Sequence, residues 1–201
     1  MKSQKNKEKE IEELLIRTGI DVAKKGEGAL FVISDNCEYK PLLKQRIQPF
    51  SLYEEGALKL LTSIATVDGA VIINKNGVIT DYGAMIKQKH VFQGYGTRHA
   101  AGYSASLLKD TTSIVVSQEE RKVKVFKQGK LIMQVDALEK NIEKKFDEAT
   151  HIFESIGFGT FSSLGVAVLA PGLLGVTVVP GIILFGLPYY ILKKLQNNKN
   201  D

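Results

Sequence analysis

From Ser155 to Leu192 the chain runs 38 residues without one charged side chain. Such a run needs cover, from lipid, from the rest of the chain or from a second subunit. One continuous helix of that length would extend roughly 57 Å at 1.5 Å per residue. The hydrocarbon layer is only about 30 Å thick. Pro171, Pro180 and Pro188, with several glycines, argue further against a single straight helix. Two membrane geometries remain: a hairpin bent near Pro171-Gly172, or one span from about Leu173 to Leu192 preceded by an interfacial segment. A soluble hydrophobic hairpin packed on the domain or on a partner subunit is the third arrangement. Tyr189, Tyr190, Lys193 and Lys194 have the make-up of an interface anchor. The expectation is a membrane-associating segment over 155–192 and a polar basic tail over 193–201.

The remaining 154 residues are enough for one domain with a substantial core. The net charge is +5, of which +2 follows the last hydrophobic run. What remains is too weak and too mixed for a nucleic-acid surface. Cys37 is the only cysteine, which excludes an intrachain disulfide framework and a cysteine zinc cluster. The lysine-rich start has no apolar core and is not a signal peptide. It reads as a solvated helix start with alternating charge.

Glu8 to Lys25 reads as a helix: Ile11, Leu14, Leu15 and Ile20 recur at helical spacing, and Gly26 and Gly28 stop it. Ala29 to Ser34 reads as a buried strand, and Asp35 to Phe50 as a loop. Helical spacing resumes over Leu52 to Thr66. Ala70 to Asn74 and Val78 to Ala84 flank Lys75-Asn76-Gly77, a strong hairpin signal. A helix over Thr97 to Leu108 is entered from Gly94-Tyr95-Gly96. Ile114 to Ser117 is a strand. Val123 to Phe126 and Leu131 to Val135 make a second hairpin round Gln128-Gly129, and Asp136 is expected to cap a polar helix reaching about Glu154. The fold class is therefore α/β (α+β): a mixed central sheet flanked by helices, with a C-terminal hydrophobic hairpin or transmembrane-like segment.

Two short segments carry the chemistry. In Asp68-Gly69-Ala70 a carboxylate stands where a helix turns into a strand, and Gly69 lets a ligand approach the backbone. Taken alone, the pair reads as a tight turn. Beside a phosphate, such a carboxylate can hold a divalent cation or help deprotonate a hydroxyl. In Gly96-Thr97-Arg98-His99 a glycine, a hydroxyl, a guanidinium and an imidazole gather at a helix start, where backbone N–H groups favour anions. Arg98 can clamp phosphate oxygens bidentately. His99 suits phosphate or metal, although a lone histidine is more often structural. A third segment, Ser117-Gln118-Glu119-Glu120, ends a strand, a common place for site residues in α/β sheets. His90 and His151 have no comparable neighbours.

Together these residues resemble the diadenylate cyclase domain, the family that condenses two ATP into cyclic di-AMP. Its Asp-Gly-Ala and Gly-Thr-Arg-His motifs stand here as Asp68-Gly69-Ala70 and Gly96-Thr97-Arg98-His99. Gly28 to Ile33, Asp68 to Met85, Ile114 to Ser117 and Val123 to Leu131 resemble its strands and hairpins. The likeness runs from about residue 10 to residue 136, closest in pattern to stand-alone or archaeal-type members. There are two departures. Many members carry Arg-His-Arg, where this chain has Arg98-His99-Ala100, without the second arginine as a phosphate contact. Many carry Ser-Glu-Glu, where Gln118 here separates Ser117 from Glu119.

The resemblance implies a nucleotidyltransferase domain over 1–154 whose subunits each bind one ATP. It implies catalytic roles for Asp68, Arg98 and His99. Nucleotide contacts would come from Gly69, Ala70, Met85, Ile86, Gly96, Thr97, Arg98, Ser117 and Glu119. A divalent metal, Mn²⁺ or Mg²⁺, would sit on Asp68, His99 and Glu119. Two ATP must face each other, which calls for a face-to-face homodimer. The domain would lie in the cytoplasm, held at the membrane by its tail. The alternative is a degenerate, membrane-associated protein that binds ATP or cyclic di-AMP without turnover, motivated by Ala100 and Gln118.

Overall fold

The computed structural model describes residues 2–44, 47–87, 96–144 and 176–178. It is built in three layers, with one sheet between two helices on one face and one helix on the other. In chain order the elements are α1 (Lys2–Lys24), β1 (Ala29–Ile33), β2 (Tyr39–Pro41), β3 (Phe50–Ser51), α2 (Ala57–Ala65), β4 (Ala70–Ile73), β5 (Val78–Ile86), α3 (Thr97–Ser106), β6 (Thr112–Ser117), β7 (Lys122–Lys127), β8 (Lys130–Asp136) and β9 (Val176–Val178). The strands lie in the order β2-β5-β4-β1-β6-β7-β8-β9, and β3 also pairs with β5. Only β1 and β4 run parallel among these pairs, so the sheet is mixed but mostly antiparallel.

The period of two along β1 explains why the sheet is covered on both faces. Ala29, Phe31 and Ile33 join the core beneath α1 and α2, with Ile11, Leu15, Ile20, Leu61 and Ile114. Leu30 and Val32 join the core beneath α3, with Ala70, Ile72, Ala101, Ala105 and Val115. A strand buried on both faces reads as a continuous apolar run, which Ala-Leu-Phe-Val-Ile is. Glycines let both helices come close. A Cβ on Gly19 of α1 would stand 3.2 Å from Val116, and one on Gly102 of α3 would stand 2.4 Å from Val115.

Most sequence boundaries hold to within a few residues, and four differ, the first being α1, which begins at Lys2 rather than Glu8. The segment expected as a loop over Asp35 to Phe50 contributes β2 and β3 to the β5 edge. Helix α2 starts at Ala57 rather than Leu52, because Gly56 ahead of it is left-handed (φ 78°). Asp136 ends β8 and does not cap a helix: its Oδ1 accepts from the Leu138 N–H at 3.0 Å, and helical residues begin at Ile142.

The hairpin round Asn76-Gly77 forms as expected. Asn74 Oδ1 accepts from the N–H groups of Asn76 and Val78, both at 2.9 Å, and Gly77 has φ 77°. The second hairpin turns through Gln128 and Gly129, both at positive φ. Among the described residues no helix is long and apolar enough to cross a membrane. The 155–192 segment lies outside the described residues except for Val176–Val178, which pair antiparallel with β8. His90 and His151 also lie outside them.

Candidate active site

Asp68 and Gly69 enter β4 where that strand presses on β5. Gly69 has φ 97°, a conformation that L side chains rarely adopt. The register of β4 on β5 shifts twice, between Ala70 and Ile72 and again between Ile72 and Ile73. Such bulges bend a strand and re-aim its side chains, often beside active sites. Asp68 is exposed, and its Oδ1 accepts from the Gly69 N–H at 3.0 Å. This is the tight turn that Asp68-Gly69 reads as when taken alone.

Helix α3 delivers the second motif. Ser113 Oγ donates to the Gly102 carbonyl at 2.6 Å, and Gly102 lies against Val115. Farther along, Leu107 packs on Gly129. These contacts fix the body and end of the helix, so its first turn stands over the β1–β4–β5 face. Gly96 caps it in an extended conformation, with no described residue within 4 Å of where a Cβ would be. The Gly96 carbonyl accepts from the N–H groups of His99 at 3.0 Å and Ala100 at 3.3 Å.

A cavity of about 240 Å³ opens between these elements. It is lined by Leu30, Leu42, Asp68, Gly69, Ala84, Met85, Ile86, Thr97, Arg98 and Ala101. Its lining combines apolar side chains with a carboxylate, a hydroxyl and a guanidinium, a combination that suits a ligand with a flat apolar part and an anionic part. Arg98 Nε is buried and makes no hydrogen bond among the described residues. A buried donor of this kind is costly unless an acceptor fills the place beside it.

Of the residues singled out in the sequence, Asp68, Gly69, Met85, Ile86, Thr97 and Arg98 meet round this cavity. Ala70, Gly96, His99, Ser117 and Glu119 are not among its lining residues. Ser117 is buried, and its Oγ accepts from the Glu120 N–H at 3.2 Å, which closes the β6–β7 turn. Glu119 is exposed on that turn. His99 is buried in α3, and its pKa is lowered to about 4. Burial is the main cause, the Lys124 ammonium adds to it and the Glu120 carboxylate opposes it. At neutral pH the imidazole is therefore neutral. Lys124 is itself buried, with Nζ 2.5 Å from Glu120 Oε2. That contact is the main cause holding the Glu120 carboxyl below its usual range. Among the described residues no three His, Cys, Asp or Glu side chains gather as a metal-holding group.

Sequence reasoning missed Leu30, Leu42, Ala84 and Ala101 as lining residues. Ala101 was within reach, since it lies one helical turn beyond Thr97 and Arg98. Leu42 was hidden in the supposed loop; its N–H donates to the Gly83 carbonyl at 2.8 Å. Ala100 is 2% exposed and does not line the cavity, so in this subunit an arginine there would meet the core rather than the cavity.

Residues 18–131 match the family described as DisA bacterial checkpoint controller nucleotide-binding. A diadenylate cyclase of Methanocaldococcus jannaschii is 31% identical over 144 residues, 66% of this chain and 46% of that protein. A diadenylate cyclase of Haloferax volcanii is 27% identical over 139 residues, 61% of this chain and 51% of that protein. The chain thus spans about half the length of these curated relatives. Among solved structures, a double mutant of DacA from Staphylococcus aureus is 21% identical. The match covers 71% of this chain and 94% of that one, with a TM-score of 0.49. A hypothetical membrane spanning protein from Bacillus cereus is 26% identical over 58% of this chain and 59% of its own, with a TM-score of 0.44.

Proposed function

The chain belongs to the family described as DisA bacterial checkpoint controller nucleotide-binding, and from that premise we propose that it is a diadenylate cyclase. It condenses two ATP into cyclic di-AMP and two pyrophosphates. The observation that carries this reading is the meeting of Asp68, Gly69, Thr97 and Arg98 round one cavity that Leu30, Leu42, Met85 and Ile86 also line. The adenine lies toward Leu30, Leu42, Met85 and Ile86. The triphosphate lies toward the α3 N-terminus, where Arg98 and the helix end favour its charge.

In the reaction, Asp68 orients the ribose 3′-hydroxyl and takes its proton. The hydroxyl oxygen bonds to the α-phosphorus of the other ATP, the bond from that phosphorus to the bridging oxygen breaks, and pyrophosphate leaves. The same exchange in the opposite sense closes the ring. The protein supplies mostly positioning and charge. Because each hydroxyl must reach the other nucleotide, two subunits meet face to face about a twofold axis. A hard divalent cation such as Mn²⁺ or Mg²⁺ fits the donor set in one mode, with Asp68 as the protein ligand and substrate phosphates supplying much of the rest. When bound it would neutralise triphosphate charge and favour ionisation of the hydroxyl. Neutral His99 and exposed Glu119 remain candidates for supporting contacts.

The test is to incubate the full chain, in detergent where needed, with ATP and Mn²⁺ or Mg²⁺ and to follow products by mass-resolved chromatography. Cyclic di-AMP with pyrophosphate is the expected result. A second reading, a protein that binds adenine nucleotide without turnover, draws on Ala100 and Gln118, the two departures from the family pattern. Tight binding with no product under either metal would favour it.

We further propose that the 155–192 segment holds the cytoplasmic domain at a membrane, on the strength of its charge-free composition. A single span from 173 to 192 would have to take Val176–Val178 off the β8 edge. Co-sedimentation of the full chain with liposomes tests the attachment; a chain that stays in the supernatant without detergent removes it.

A further inference from the structure

Two guanidinium groups flank Gly26-Glu27-Gly28, the turn that joins α1 to β1. On one side Arg121 donates from Nη1 to the Ala23 carbonyl at 3.1 Å. It occupies the place a side chain on Gly26 would take, with Nη1 2.5 Å from that Cβ position. On the other side Arg98 reaches down from α3, and its Nη1 lies 2.8 Å from the Cβ position of Gly28. The remaining neighbours of that position are more distant: the Val116 carbonyl oxygen at 3.3 Å and Gln118 Cβ at 3.4 Å.

The two glycines are required for different reasons. Gly26 has φ 83° and is needed for its backbone. Gly28 does not lie in the left-handed region, so its backbone accepts an L side chain. What glycine preserves at 28 is space, and the atom in that space is the tip of the arginine that lines the cavity. The tip of a flexible side chain yields easily, whereas the surrounding strand ends do not.

We propose that Gly28 is a positioning residue for the nucleotide site: it keeps open the seat of the Arg98 guanidinium. A methyl group at 28 would move the guanidinium off that seat and leave the fold intact. The claim rests on the reading of the cavity as a triphosphate site. It separates two properties that usually fall together, since one substitution should spare stability and weaken binding.

The experiment compares the full-length parent, Gly28→Ala, Arg98→Lys and the double variant. Gly28→Ala should stay folded and melt within a few degrees of the parent, because alanine restricts the unfolded chain while the Val116 carbonyl oxygen, 3.3 Å from the new Cβ, must give way slightly. In a ¹H–¹⁵N spectrum the Arg98 Nε–H signal, identified by its loss in Arg98→Lys, should shift. The Kd for ATP by calorimetry should weaken roughly tenfold, the size of one lost charge-assisted hydrogen bond. In the Arg98→Lys background the same change should alter Kd by less than about twofold. An unmoved Nε–H signal, an unchanged Kd, or equal weakening in both backgrounds overturns the proposal. Should Gly28→Ala unfold, adding Arg98→Ala must restore its melting temperature; no restoration means the obstacle is Val116 or Gln118, and the proposal falls. A parent that binds ATP but forms no cyclic product removes the cyclase reading alone, and the Kd comparison still decides on Gly28. A parent that binds no ATP overturns both.

Discussion

Gly69 lies so close to Gly83 that a Cβ on Gly69 would stand 2.7 Å from the Gly83 carbonyl carbon and 2.8 Å from the Ala84 nitrogen. Both obstacles are backbone, and φ at Gly69 is 97°. Gly83 also has positive φ, at 60°, but a Cβ there would meet the side chain of Leu43 at 3.2 Å, which can rotate away. Gly69→Ala is therefore expected to be the costlier change. Strain at a positive φ and backbone overlap together amount to about 2–5 kcal/mol. Gly83→Ala should cost only about 1–2 kcal/mol. Urea unfolding of the two variants checks the order, and equal losses would contradict it.

Asp68→Asn keeps the size of the side chain and an oxygen able to accept from the Gly69 N–H. Folding and the affinity for metal-free ATP should therefore change little. Product formation should fall by about 10²–10⁴-fold, the range for losing a positioned acid–base group. Initial rates beside an ATP titration decide it. Full activity would remove Asp68 from the mechanism.

Ala100 tests the meaning of the missing second arginine. The position is buried and outside the cavity lining. Ala100→Arg is expected to lose at least about 1–3 kcal/mol through overpacking, without tightening ATP binding. A stable variant with higher ATP affinity would show that the arginine reaches phosphate from this position, contrary to the packing seen here.

How much was legible in the sequence follows from which forces act locally. Asn76-Gly77 and Gln128-Gly129 announced their turns because φ > 0 is a local demand met by few residue types. Asp68, Thr97 and Arg98 were singled out by two short motifs taken together, since alone Asp68-Gly69 reads as a turn; that they line one cavity is set by the packing of α3 on the sheet. The pairing of β2 with β5 was hidden, since Tyr39–Pro41 is too short to show a period. Lys124 was misleading in another way. Alternation in Lys122-Val123-Lys124-Val125 reads as polar-out, yet Lys124 is 3% exposed because α3 covers that face. The neighbours of His99 were illegible for the same reason: a helix and a hairpin must first pack together before an imidazole meets Lys124 and Glu120.

The same packing puts a charge pair in the other core. Glu12 of α1 is 3% exposed and accepts from Lys127 Nζ of β7 at 2.5 Å, with the Thr112 hydroxyl at 3.4 Å. Burial is the main cause raising the Glu12 pKa, and Lys127 offsets it only in part. A carboxyl whose folded pKa is raised binds its proton more readily folded than unfolded. Its contribution to stability is fully present below the unfolded pKa, about 4.5, and is lost as pH rises through the raised folded value. Relative to Glu12→Gln, the parent should therefore gain stability as pH falls from neutrality toward that lower limit. Glu12→Gln removes the buried carboxylate together with its desolvation, so its cost relative to the parent should be smaller at pH 7 than at pH 5. Replacing both partners, as Glu12→Leu with Lys127→Met, should recover most of that loss or exceed the parent, because the pair must be desolvated to form. Chemical unfolding of the four proteins at pH 5 and pH 7 measures both effects. A double variant no more stable than Glu12→Gln would mean that the ion pair itself holds α1 to the sheet.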